Sequence, residues 1–284
     1  SLGRTIYYVY PIAKTISFRA IAEKHVKYLR QHYRVETADE KVFHLIMAKF
    51  KGLKDFTVLV QPVFYSLGLY EKTCLEKLGR PEGVIGFDVA DSDHISPRGI
   101  ELVNMLDALV VPSHFSRNAY VSSGAKVPVY VIPHGCDPER ISGAKQSPTI
   151  FHQLSDYKRK WNLKLVQCWI LHSEWRKGQD IFFRIFNELV SERKDVAFVL
   201  RKVHTLCIYT RPIDPKGDPY RQARFTISCG WLSDRDKMEL FDTCDVYLLT
   251  SRGGGFEHPA FEAMVRREVV IGAKGGSWDD YLPD

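Results

Sequence analysis

The chain has 284 residues, 45% hydrophobic and 26% charged, the composition of an ordinary soluble protein with enough length for one large or two modest cores. Forty basic against 34 acidic residues give a net charge of +6, which is compatible with nucleotide phosphates, nucleic acid or an acidic membrane surface and selects none of them. Apolar runs such as 107–112 and 127–133 are far too short to span a bilayer, and Ser1-Leu2-Gly3-Arg4 lacks the layout of a signal peptide, so the expectation is a cytoplasmic protein.

In chain order, a strand is expected over Thr5–Tyr10. Phe18, Ile21, Ala22, Val26 and Leu29 then recur at helical spacing behind Ser17 as N-cap. The other face of that helix carries Arg19, Lys24, Lys27 and Arg30, which reads as a solvated stripe before it reads as a peripheral membrane contact. Strands follow at 56–60, 84–87, 108–111 and 127–132, with a helix over 97–106. From Gly143 to about Lys160 the rhythm lapses into Gly, Ser, Pro and a Lys/Arg cluster. This marks a linker at 146–162 between an N-terminal domain (1–145) and a C-terminal domain (163–284). A second set repeats the alternation: strands at 165–171, 196–200, 225–228, 246–250 and 269–272, helices at 179–192, 234–244 and 259–267, and a proline-rich loop at 209–224. Alternating strands and helices predict an α/β fold with parallel sheets. The six cysteines show neither C-x-x-C nor zinc-finger spacing and are read as reduced, mostly buried thiols.

Two segments carry chemistry. In Ser251-Arg252-Gly253-Gly254-Gly255-Phe256-Glu257-His258-Pro259, a strand ends, three glycines follow and a helix opens at Pro259. Glycines let backbone amides approach a ligand, and a helix N-terminus offers free N–H groups to an anion, so this is the layout of a diphosphate cradle. Glu262, in the first turns of that helix, is placed to accept the hydroxyls of a ribose. An acidic first turn after a glycine-rich loop is also common without any ligand. The second segment, His172-Ser173-Glu174-Trp175-Arg176-Lys177-Gly178, lies between a strand and a helix, where a lysine reaches a phosphate at the carboxyl end of a parallel sheet.

Taken together these segments resemble the donor-binding half of the two-Rossmann-domain (GT-B) glycosyltransferases, specifically the retaining family 4. Lys177-Gly178 matches that family's phosphate-binding lysine and its glycine. Phe225 to Leu232, including Gly230, Trp231 and Leu232, matches the strand and turn that meet the nucleobase. Gly255-Phe256, Pro259 and Glu262-Ala263-Met264 match its acidic motif, and Gly275-Gly276 matches a further glycine pair. In the first half, Val110 to Ser116 and Val131 to Asp137 match landmarks of the interdomain cleft, so the likeness runs from about Gly83 to Gly276.

The resemblance implies two Rossmann-like domains facing each other across a cleft. It implies transfer of a hexosyl-type sugar from a nucleoside-diphosphate sugar, with retention, no metal and no cofactor besides the donor. His172, Ser173, Arg176, Lys177, Gly254, Gly255, Phe256, Glu257 and Glu262 would bind the donor, with Lys177 and Glu262 central to catalysis. Asp91 and Asp93, also expected to take part in catalysis, would with His94 and His134 face a glycan, lipid or protein acceptor.

Three departures stand out. Gly254 occupies the place of the motif's first glutamate, with Glu257 three residues on as a substitute or a helix cap; His172 replaces the phosphate-binding arginine, with Arg176 nearby; and the chain stops at Asp284, before the family's closing helix, as a fragment or trimmed variant would. Two rival readings follow. Asp91-Ser92-Asp93 would be the metal-binding D-x-D of a single-domain GT-A glycosyltransferase, or the chain would be a degenerate nucleotide or sugar binder. Nucleic acid ranks last among partners, since no aromatic–basic interleaving supports it.

Overall fold

The computed structural model describes residues 4–14, 17–42, 56–67, 83–137, 151–171, 174–202, 225–228, 230 and 232–282. It divides into two compact units, Ser1–His134 and Gly135–Asp284. Each unit is built on its own parallel sheet, which differs from the single-domain arrangement that the D-x-D reading requires.

In the first unit the strands β1 (Thr5–Tyr10), β2 (Arg34–Asp39), β3 (Phe56–Val60), β4 (Gly83–Phe87), β5 (Ala108–Val111) and β6 (Val129–Val131) lie in the order β2-β1-β3-β4-β5-β6. The helices are α1 (Ser17–Leu29), α2 (Val63–Leu67), α3 (Pro97–Val103) and α4 (His114–Ser122). Both faces of the inner strands are covered, which is why β1, β3 and β5 read as near-continuous apolar runs. Tyr8, Tyr10 and Leu59 meet Ala22 and Val26 of α1 on one face, while Val9, Val58 and Val60 meet Leu102, Val103 and Leu106 on the other. The helical spacing read into α1 is the one the structure uses, with Ile21, Ala22 and Val26 buried. Ser17 is the first residue of that helix, not its cap.

In the second unit β7 (Lys164–Trp169), β8 (Val196–Arg201), β9 (Phe225–Ser228), β10 (Val246–Leu249) and β11 (Val269–Gly272) lie in the order β11-β10-β7-β8-β9. The chain starts in the middle, builds outward to β9, then reverses to β10. The reversal between β7 and β10 is the place where doubly wound sheets bind ligands, beyond the carboxyl ends of the strands. Helices α5 (His152–Trp161), α6 (Gln179–Glu192), α7 (Asp234–Thr243) and α8 (His258–Val265) accompany the sheet. Phe182 and Val190 of α6 pack on Val166, Phe198 and Leu200, and Leu240 of α7 packs on Leu165, Ala197 and Val199.

The linker expected at 146–162 takes a different form. Residues 152–161 are helix α5, whose Leu154 and Tyr157 pack with Phe151 against the core of the second unit. Its basic cluster, Lys158, Arg159 and Lys160, is the last turn of that helix, where cations face the negative end of the dipole. The described units meet between His134 and Gly135. Strand β2 and helices α2 and α4 are not among the elements expected from the sequence, α3 stops at Val103, three residues early, and α8 opens at His258, one residue before the expected proline. The proline-rich loop expected at 209–224 lies outside the described residues. Among the described residues no helix is long and apolar enough to cross a membrane, and Cys168 and Cys244 are buried free thiols.

Candidate active site

The loops after β7 and β10 converge at the reversal point. Gly178 caps the start of α6 in a left-handed conformation (φ +70°), and a Cβ there would lie 2.1 Å from the Thr250 carbonyl oxygen. Only glycine permits this approach, and it locks the Lys177 loop onto the end of β10. The Thr250 hydroxyl donates to the Lys177 carbonyl (2.7 Å), the Arg252 amide donates to the Arg176 carbonyl (2.7 Å), and the Arg176 guanidinium donates to the Gly253 carbonyl (2.8 Å).

Lys177 and Glu257 form an ion pair with both side chains largely buried. The Ser251 hydroxyl donates to the same carboxylate oxygen at 2.8 Å. Glu257 stands at the N-cap of α8 in left-handed backbone geometry (φ 61°, ψ 61°), yet its side chain makes no capping bond. An L-residue held there costs of order 1–3 kcal/mol, a strain the surrounding contacts must hold in place. Gly254 makes room for the carboxylate, because a Cβ at that position would lie 1.9 Å from Glu257 Oε1. The Glu257 carboxylate therefore occupies the space that a side chain at position 254 would enter.

Gly253 to Phe256 are buried, braced from below by the segment that follows β11. The Ser277 hydroxyl donates to the Gly254 carbonyl (2.6 Å), and the Tyr281 hydroxyl contacts the carbonyls of Phe256 (2.8 Å) and Glu257 (3.1 Å). A Cβ on Gly276 would lie 2.4 Å from the Trp278 ring, which accounts for that glycine.

Glu262 is 5% exposed and ion-pairs with Lys237 of α7. Further along the sheet, Gly230 takes φ +85° and its carbonyl accepts from Arg201 of β8, while Leu232 packs into the core beside α7. His172, Ser173 and Trp231 lie outside the described residues. Sequence reasoning missed Ser251, Lys237 and the outer brace of the loop, in which Arg252 binds Asp180 with two bonds (2.8 and 2.7 Å) and stacks 3.9 Å over the Trp175 ring. That pairing holds the Asp180 carboxyl down to about 2. No spacing rule links residues so far apart in the chain.

The first unit treats its carboxylates otherwise. Asp88 follows β4 and accepts from the amides of Val63 (3.0 Å) and Val89 (2.8 Å), and burial pushes its carboxyl up to about 6. Asp91, Asp93 and His94 are exposed, and Ser96, not the aspartates, caps α3 through the Gly99 amide (3.2 Å). Ser113 caps α4, and Ser116 accepts from the Ala90 amide at 3.1 Å, so these two landmark residues hold the aspartate loop in place. His134 is half-buried with its ring 6.4 Å from that of His25. His25, which sequence reasoning passed over, meets the Tyr8 hydroxyl at 2.7 Å, and burial lowers its pKa. Among the described residues no three His, Cys, Asp or Glu side chains group as metal ligands do.

No family model matches the sequence. Protein 356 of Sulfolobus islandicus rod-shaped virus 1, itself uncharacterized, is 33% identical over 99% of this chain and 77% of its own length. A protein of a Sulfolobus islandicus filamentous virus, with a provisional glycosyltransferase assignment, is 28% identical over 70% of this chain, which spans half of it. Among solved structures, HepE of Anabaena in complex with UDP and glucose aligns over 99% of this chain and 83% of its own with a TM-score of 0.70 at 17% identity. A UDP-forming α,α-trehalose-phosphate synthase from Burkholderia xenovorans aligns over 99% and 86% with a TM-score of 0.72 at 14% identity.

Proposed function

Because the chain belongs to the family of the rod-shaped virus protein 356 and has the GT-B glycosyltransferase fold, we propose that it transfers a sugar from a nucleoside-diphosphate sugar to an acceptor hydroxyl. The observation that carries this reading is the meeting of Lys177, Arg176 and the buried Gly253–Phe256 loop at the reversal point of the second sheet. When the bond between the anomeric carbon and the donor diphosphate breaks, its electron pair goes to the diphosphate. Stabilising that charge with groups already in place is the main catalytic task. Lys177, Arg176 and the loop amides suit it, and cationic side chains at a helix terminus do the work a metal would otherwise do. Glu257 holds Lys177 until the diphosphate arrives and supplies the carboxylate that Gly254 lacks, while Glu262 takes the ribose hydroxyls. Uridine nucleotides are the first donors to test, since HepE and the Burkholderia synthase are described with UDP chemistry.

Retention at the anomeric carbon follows from the likeness to family 4, and the acceptor is a glycan, lipid or protein. A cytoplasmic protein touching a membrane peripherally fits the α1 surface, where Lys27, Arg30, Tyr28 and Tyr33 are exposed. The reading as a non-catalytic binder rests on Gly254 and is separated by turnover.

The test is titration with UDP, GDP and ADP and their sugars in EDTA, followed by thermal stability. Binding in EDTA that Lys177→Ala and Glu262→Ala abolish is expected. Binding that needs a divalent ion would sink the metal-free donor site, and binding of the sugar nucleotide without turnover on any acceptor or water would favour the non-catalytic reading.

A further inference from the structure

Glu262 lies almost out of solvent, and a carboxylate so placed keeps its charge only beside a cation. Lys237, at the fourth position of α7, is that cation. Its ammonium stands 5.7 Å from the Trp169 ring centroid and 6.0 Å from that of Phe241, and these two rings stack at 5.4 Å and 6°. The stem thus crosses an aromatic surface that fixes where the ammonium ends. Arg266, which lines the same small recess as Lys237 and Glu262, is engaged by both carboxylate oxygens of Asp242 at 2.8 and 2.5 Å. Ser233 caps α7 through the Asp236 amide (3.1 Å), so the turn that follows the nucleobase segment sets the height of Lys237.

We propose that Lys237 is a positioning residue for nucleotide recognition: its ion pair holds the Glu262 carboxylate in place as an acceptor for the adjacent hydroxyls of a ribose. The proposal deepens the donor-site reading and rests on it. A carboxylate anchored by an ion pair still has lone pairs to accept from two hydroxyls at once, provided its orientation is fixed. Lys237 does not touch the nucleotide. It acts through Glu262, and its effect is confined to ligands that carry the vicinal diol. Helix α7 thereby couples the turn near the base to the group that reads the ribose.

The experiment is calorimetric titration of the full chain with UDP and with 2′,3′-dideoxy-UDP, repeated with the GDP and ADP pairs. Lys237→Met keeps the stem over the rings and removes the charge. It is expected to weaken the ribonucleotide about tenfold, leave the dideoxy ligand within twofold, and collapse the wild-type preference for the diol. Lys237→Arg is expected to restore most of that preference, and Lys237→Met combined with Glu262→Gln to cost no more than Glu262→Gln alone. Equal weakening of both ligands, or an unchanged preference, overturns the role of Lys237. If Lys237→Met melts below the assay temperature, the ratio is read from Lys237→Arg and Lys237→Gln, and an unmoved ratio in both overturns it equally. Failure of the wild type to bind any of these ribonucleotides instead removes the donor site itself.

Discussion

The two units share a plan, a parallel sheet with loops gathered beyond the carboxyl ends of its strands, but they spend those loops differently. In the second unit the loops after β7 and β10 are tied to one another by backbone and side-chain bonds, and they hold a largely buried ion pair between Lys177 and Glu257. In the first unit the loop after β4 leaves Asp91 and Asp93 in solvent and uses Asp88 to accept backbone amides. The same architecture therefore yields one end whose charges are placed before any ligand arrives and one whose charges still sample water. Electrostatic stabilisation depends on that prior placement, because a group fixed in a dry site needs no reorganisation when charge develops.

The contrast breaks most severely at Gly178. Gly178→Ala is expected to destabilise the second unit by roughly 3 kcal/mol, through left-handed strain and overlap with the Thr250 carbonyl; a denaturant midpoint within error of wild type would show the loop contact is not required. Lys177→Ala comes next. Removing one partner of a buried charge pair should weaken binding of a nucleoside diphosphate on the order of 100-fold, and calorimetry showing less than a fivefold change would mean that the second unit's charges are structural.

Glu268 sharpens the comparison through pH. Burial pushes its carboxyl up to about 9 from 4.5, with Gln167 as its partner. A folded-state pKa raised above the unfolded one gives stability that is complete below pH 4.5 and lost as pH rises through about 9, with a slope approaching about 1.4 kcal/mol per unit. Glu268→Gln should flatten that slope and raise the melting temperature at pH 8 more than at pH 5. Parallel stability curves for the two proteins would refute the burial argument. The smallest effect is expected in the first unit, where Asp91→Asn and Asp93→Asn should each change turnover less than about threefold, since exposed groups contribute little. A loss of tenfold or more would erase the contrast and support the catalytic role expected of the aspartates from the sequence.

The alternation of strands and helices was legible because parallel strands buried on both faces must be apolar throughout and amphipathic helices must repeat every three to four residues. The glycines of the loops after β7 and β10 were legible for a similar local reason. A short helix such as α5 was not: its polar, basic last turn carries the same composition as a linker, and only Leu154 and Tyr157 settling on a distant core reveal it. The pairing of Lys177 with Glu257 joins residues 80 apart in sequence.

Local pattern was enough for the α/β class, the position of most strands and helices, and the segments in which Lys177, Gly254 and Glu262 lie, because each depends on periodicity and backbone freedom within a few neighbouring residues. Folding in three dimensions put the Glu257 carboxylate in the space beside Gly254, paired Lys237 with Glu262 and left Asp91 and Asp93 in solvent. Those outcomes depend on distance through space between chain segments, and no local pattern encodes such distances.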